Sequence, residues 1–314
     1  MSMARLFCVP LLALAILAVP MVEFGYIGTK AVTEATAMKP DHAGFAHVDG
    51  VNIWYGIFNQ RPAGSAGSSE TNDGLRTGSV QTGPAHPGRT NPDVDTVILL
   101  HGGLGSSLDW RNQIPALVNE HRVIVIDSRG QGRSSRAGQP ITYDLMMKDV
   151  IAVMDRLKIK KAAFAGWSDG GIIGLDIAIK HPERITRLFT YGANFNPDGL
   201  VPDPGGSFFT NLRIRLSSLV DEHAATVRDI TTMWNTEPDF TPAELGSIHV
   251  PTMIAAGAHE EAIKPEHTRE LAEMIPHAQL AILPNAGHAG LLEDPRDFNA
   301  LLTGFLDKSG EPPA

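Results

Sequence analysis

Cys8 is the only cysteine in this 314-residue chain. An internal disulfide is therefore excluded, and so is a zinc site built from cysteines. Basic tracts are also missing: the longest spans residues 158–161, where Ile159 interrupts the lysines. With a net charge of -9, the chain lacks the electrostatic footprint of a nucleic-acid binder. Large apolar side chains are nearly absent from residues 61–94, which are rich in Gly, Ser, Thr and Pro. Such a segment cannot recover its ordering entropy by burial, so it reads as a surface insertion. No internal repeat is visible, and no pattern encodes an oligomeric state.

Hydrophobic residues make up 43% of the chain, as in an ordinary globular protein. Its length suits one domain of roughly 250 residues plus a tail. The N-terminus differs in character. Arg5 precedes an apolar run over residues 6–22, like the positive start and apolar centre of an export signal. The run falls slightly short of the roughly 20 residues that cross a bilayer, and Glu23 makes extending it costly. Ala35-Thr36-Ala37 has the small residues of a cleavage site but lies far beyond the run. Residues 1–37 are thus expected to be a signal peptide or membrane anchor. The protein is then exported (periplasmic or extracellular) or anchored, with membrane association through this segment only, and residues 38–314 form the functional domain.

Along that domain, Asp49-Gly50 separates strand-like runs at 45–48 and 51–58, which predicts a tight hairpin. From Thr96 the rhythm changes. Short apolar runs at 96–100, 123–126, 162–165 and 185–190 alternate with helix-like segments near 111–120, 142–157 and 171–181. Two more strands at 251–256 and 279–283 flank a helix near 266–274, and a last helix lies near 295–306. Continuous apolar strands separated by helices predict a mostly parallel, eight-stranded α/β sheet with helices on both faces. Residues 195–247 interrupt the alternation and read as a small helical cap, with amphipathic stretches near 208–220 and 222–234. Phe208, Phe209, Leu212, Leu216, Leu219, Met233, Trp234 and Phe240 are either pocket lining or packing between cap and body.

The chemistry centres on Gly166-Trp167-Ser168-Asp169-Gly170, between an apolar strand and a helix. A G-x-S-x-G sequence there puts a serine on a sharp strand-to-helix turn with its hydroxyl exposed. Serine needs a base to act as a nucleophile. His288, in the loop just beyond the last strand, supplies one, since an imidazole ordinarily titrates near 6.5. A carboxylate after the 252–257 strand would orient it. Glu260 is the first choice, Glu261 the rival, and Asp198 an outside candidate. His101-Gly102-Gly103-Leu104-Gly105 follows the strand ending at Leu100. The Gly103 amide, with Leu104 in reserve, pairs with the Asp169 amide as an expected oxyanion hole. His101 is expected to orient this loop. Residues 127–134 lack the terminal Gly-Lys-Ser/Thr of a phosphate loop, so Arg129 and Arg133 are expected to brace the loop after the fourth strand.

The chain resembles α/β-hydrolases of the serine esterase, enol-lactonase and haloperoxidase-like group. The matching features are His101-Gly102-Gly103, the Asp127-to-Ser134 stretch, Gly166 to Gly170, Gly287-His288, Pro251-Thr252 and Glu293-Asp294-Pro295. The order Ser168, Glu260, His288 is the one seen in that fold. Two features depart from the group: Glu260 stands where it usually has Asp, and the 61–94 insertion is extra. The resemblance implies hydrolysis of a small-molecule carboxylic ester or lactone through an acyl-enzyme, with no cofactor. The same residues also permit carbon–carbon bond hydrolysis or perhydrolysis, and an inactive hydrolase-shaped binding protein is the alternative from another class.

Overall fold

The computed structural model describes residues 39–59, 96–202 and 222–307. The expected leader over 1–37, the insertion over 61–94 and the amphipathic stretch near 208–220 lie outside the described residues, as do Phe208, Phe209, Leu212, Leu216 and Leu219.

The described residues build one eight-stranded sheet. Its strands are β1 (His42–Val48), β2 (Val51–Phe58), β3 (Thr96–Leu100), β4 (Arg122–Ile126), β5 (Ala162–Trp167), β6 (Ile185–Tyr191), β7 (Thr252–Gly257) and β8 (Gln279–Leu283). The order across the sheet is β1-β2-β4-β3-β5-β6-β7-β8. β1 and β2 pair antiparallel, β2 runs antiparallel to β4, and every later pairing is parallel. Asp49 and Gly50 both have positive φ, as a two-residue turn matched to strand twist requires.

Strands β3 and β7 are buried along their whole length and β5 up to Trp167, which is why they read as unbroken apolar runs. Side-chain alternation divides the core in two. Ile98 and Leu100 join one cluster with Met146, Val150, Ile173 and Leu271, whereas Val97 and Leu99 join the other with Trp110, Leu117, Phe298 and Phe305. Helices therefore cover both faces.

The helices are α1 (Ile114–Leu117), α2 (Tyr143–Arg156), α3 (Asp169–Lys180), α4 (Glu222–Trp234), α5 (Pro242–Leu245), α6 (Pro265–Met274), α7 (Gly290–Glu293) and α8 (Pro295–Leu306). Thr142 caps α2 by accepting from the Leu145 amide, and Asp294 caps α8 through the Asp297 amide. The helix expected near 111–120 divides into a 3-10 turn at Ser107–Asn112 and the short α1, where Pro115 fits the first turn but cannot continue a helix from Asn112. Short helices α5 and α7 were not expected, because four residues carry too little periodicity to register.

Strand order dictates where a site can form. The chain leaves β3 for β4 on one side and returns to β5 on the other, so the connections diverge between the carboxyl ends of β3 and β5. Crevices open at such switch points. His101 to Gly105 and Ser168 follow these two strand ends.

Candidate active site

Ser168 occupies a left-handed backbone position, φ 52° and ψ -118°, between β5 and α3. A non-glycine residue there is strained, and the surroundings must hold it. Its amide donates to the Tyr191 carbonyl at 2.8 Å, and its carbonyl accepts from Gly171 and Ile172. Glycine is obligatory on either side. A Cβ at Gly166 would collide with the Gly170 backbone, and one at Gly170 would collide with the Leu100 carbonyl. These two glycines let strand, turn and helix close tightly around the serine.

His288 arrives from the loop after β8. Its Nε2 lies 3.0 Å from Ser168 Oγ, and its Nδ1 lies 2.8 Å from Glu260 Oε1. Glu260 accepts from Nδ1–H, leaving the Nε2 lone pair facing the serine hydroxyl. The same Oε1 accepts from the Ala262 and Ile263 amides at 2.9 and 3.2 Å. The Glu260 side chain is only 1% exposed. Hydrogen bonds from Ala258 to Leu283 and from His259 to Ala286 tie the loop after β7 to the loop after β8. The extra methylene of glutamate is absorbed within this braced loop.

Among the described residues, the imidazole ring bonds to neither rival carboxylate. Glu261 Oε2 accepts from the His288 backbone amide at 3.0 Å, and the Asp198 carbonyl accepts from Lys264 Nζ. Glu261 thus grips the histidine's backbone, whereas Glu260 faces its ring.

The loop after β3 forms the opposite wall. His101 Nε2 accepts from the Ser128 amide at 3.0 Å, so Nδ1 carries the proton and donates to the Gly102 carbonyl at 2.7 Å. Both nitrogens are engaged in the structural role expected of it. Asp127 fastens the same loop by accepting from the Ser107 and Arg133 amides. Arg133 stacks over Trp54 with its guanidinium 4.3 Å from the ring centre. Arg129 pairs bidentately with Asp149 at 2.6 and 2.7 Å, both side chains being 2% exposed. Both arginines brace the loop, as expected.

Gly103 adjoins the residue after the serine. A Cβ there would stand 2.5 Å from both Asp169 Oδ2 and Trp234 Cζ2. Leu104 takes a positive φ of 59° as the loop turns away. Asp169 is the first residue of α3, so its amide is among the first-turn donors that a helix leaves without internal partners. The two amides expected to hold an oxyanion thus belong to neighbouring residues beside the serine.

Several roles around the site were not foreseen. Trp167 Nε1 donates to the His288 carbonyl at 2.7 Å, and its ring centre lies 5.9 Å from the imidazole. Glu293 Oε2 accepts from the Gly287 amide at 2.5 Å. Gly192, at φ 66°, leaves room for the histidine ring. Tyr143 and Trp234 both donate to Asp169 Oδ1, at 2.8 and 2.9 Å. Burial pushes the Asp169 carboxyl up from its ordinary range, and pushes the Tyr143 phenol well up, aided by Asp169. The Glu293-Asp294-Pro295 motif signals Glu293; no local pattern signals Tyr143 or Trp234. Among the described residues, no group of three or more His, Cys, Asp or Glu side chains is arranged to hold a metal ion. Among them, too, no helix is long and apolar enough to cross a membrane.

The sequence profile described as "alpha/beta hydrolase fold" matches residues 95–229. A protein of Caulobacter sp. (strain K31) named "Putative carbamate hydrolase RutD" is 31% identical over 273 residues, covering 77% of this chain and 98% of that one. The crystal structure of the enol-lactonase from Burkholderia xenovorans LB400 superposes with a TM-score of 0.60 at 23% identity, over 83% of this chain and 99% of that one. Carboxylesterase CesB (YbfK) from Bacillus subtilis gives a TM-score of 0.63 at 20% identity, over 91% and 98% of the two chains. Sheet order, serine turn and relatives agree: this chain belongs to the α/β-hydrolase fold family and is a hydrolase.

Proposed function

We propose that the chain hydrolyses carboxylic esters or lactones through an acyl-enzyme on Ser168. The observation that carries this reading is the unbroken line from Ser168 Oγ to His288 Nε2 and from His288 Nδ1 to Glu260, at 3.0 and 2.8 Å. His288 takes the serine proton as Oγ bonds to the carbonyl carbon. The Gly103 and Asp169 amides receive the developing oxyanion, where losing one donor typically costs about 3 kcal/mol. His288 then protonates the leaving alkoxide as the C–O bond breaks. Water repeats the sequence on the acyl-enzyme, releasing the acid and restoring the serine. For a lactone, acid and alcohol leave as one hydroxy acid.

A second reading has support from the relatives named "Putative carbamate hydrolase RutD". A carbamate carbonyl is attacked by the same hydroxyl, and what differs is the nitrogen carried on the acyl carbon. Turnover of nitrophenyl esters of graded chain length, several lactones and a carbamate ester separates these readings. Ser168→Ala removes nearly all turnover while remaining folded, and unchanged ester turnover in that variant refutes the assignment.

We also propose that residues 1–37 export or anchor the protein. Cell fractionation with N-terminal sequencing tests this, and a full-length cytosolic protein contradicts it.

A further inference from the structure

The carboxyl group of Asp169 takes no part in the line from Ser168 through His288 to Glu260. The residue is 4% exposed. Both of its donors, Tyr143 Oη and Trp234 Nε1, converge on Oδ1. Among the described residues none donates to Oδ2, which is buried beside the Gly103 backbone. A buried carboxylate oxygen without a donor is expensive. The nearby imidazoles of His101 and His288 are both engaged elsewhere. Its place at the start of α3 favours a negative charge there. For holding Ser168 in place, an asparagine or serine at 169 would do without the desolvation cost.

Position 169 has a consequence for the substrate. Under the proposed ester chemistry, the Asp169 amide receives the oxyanion, and within one aspartate the amide nitrogen and carboxylate oxygens are only about 3 to 4 Å apart. A substituent on the carbon next to the scissile carbonyl is therefore the part of a substrate nearest to Oδ2. We propose that Asp169 is a specificity residue selecting acyl groups with a protonated amine on that carbon, so that the preferred substrates are α-amino acyl esters. The ammonium donates to Oδ2 and supplies the missing positive charge, while Tyr143 and Trp234 hold Oδ1 and fix the direction of approach. Trp234 is only partly buried. The inference rests on the proposed ester hydrolysis and names its substrate class.

The test compares kcat/KM for benzyl 2-aminobutanoate and benzyl 2-methylbutanoate, which differ by an ammonium against a methyl group. A second pair, choline butanoate and 3,3-dimethylbutyl butanoate, places the charge on the alcohol side instead. Wild type is expected to favour the amino ester by about 10- to 100-fold, the range of one charge-assisted hydrogen bond. It should show no comparable preference for choline. Asp169→Asn is expected to bring the first ratio close to one, mainly through KM, and Asp169→Glu to retain part of it. Using a ratio within each variant cancels any loss common to both esters. If Asp169→Asn does not fold, the wild-type ratio is followed with pH; it should decline through about pH 8, where an α-amino group loses its proton. Equal turnover of both benzyl esters, a preference confined to choline, or a ratio unaltered in Asp169→Asn would each overturn the proposal while leaving ester hydrolysis intact. Failure of every ester, with Ser168 inert to a fluorophosphonate, would instead remove the ester reading and this inference with it.

Discussion

Gly192→Ala is the substitution through which the packing around His288 is most sharply tested. Gly192 directly follows β6, outside every motif that marks the active site. Its φ is 66°, and a Cβ there would lie 2.9 Å from both Cε1 and Nδ1 of His288. Non-bonded carbon contacts are comfortable at about 3.5 to 4.0 Å, so ring or strand end must yield by at least about 0.6 Å. The ring has little freedom, being held by Glu260 at 2.8 Å, by Ser168 at 3.0 Å, and through its carbonyl by Trp167. Moving it that far stretches a triad hydrogen bond toward about 3.6 Å, where it no longer counts as one. We expect kcat to fall by about 30- to 100-fold with a smaller change in KM. The left-handed backbone adds roughly 1 to 2 kcal/mol of destabilisation, read by urea unfolding. Gly50→Ala is the control. That residue also has a positive φ, 81°, but a Cβ there meets nothing within 4 Å. It should lose similar stability and no activity. Wild-type kcat in folded Gly192→Ala would refute the reasoning, as would an equal activity loss in both variants.

Other expectations follow from single contacts. Glu260→Gln should lower kcat by about 10⁴, because the amide no longer selects the required imidazole tautomer; a loss below tenfold in steady-state assays would assign the acid role elsewhere. Arg129→Ala leaves Asp149 buried without its partner and should cost about 3 to 5 kcal/mol in urea unfolding, whereas the apolar double variant Arg129→Met/Asp149→Leu should recover most of it. His267 accepts from the Phe195 amide at 3.1 Å and stacks on the Phe195 ring, and burial lowers its titration to about 4. The unfolded chain then binds a proton below about 6.5 that the folded chain refuses, so stability falls as pH drops from about 6.5 to 4. The loss should reach about 2 kcal/mol, and His267→Gln should flatten that part of the stability–pH curve; an unaltered curve would contradict this.

The fold was largely legible because its central strands are buried on both faces and announce themselves as unbroken apolar runs. Asp49-Gly50 and the Gly166-to-Gly170 stretch were legible for another reason, since both carry local conformational demands that few residues meet. His288 could be found from its position after the last strand. Glu260 could be preferred over Glu261 only by analogy, because adjacent loop carboxylates look alike until the loop's backbone bonds decide which one faces the imidazole. Trp167, Tyr143 and Gly192 were not read as participants, and Trp234 was read only as pocket lining or packing, because their roles depend on partners distant in sequence. Tyr143 lies on α2 and Trp234 on α4, and only the folded chain brings both to Asp169. Short length hid α5 and α7, since four residues carry too little periodicity to register.

The claim underlying the rest is that His288 makes Ser168 nucleophilic. Incubation with a fluorophosphonate, followed by peptide mass spectrometry, tests it directly. One adduct is expected, on Ser168, forming at least about 100-fold more slowly in His288→Ala and not at all in Ser168→Ala. An unmodified Ser168 in folded wild type, or labelling at an undiminished rate without the histidine, would contradict it.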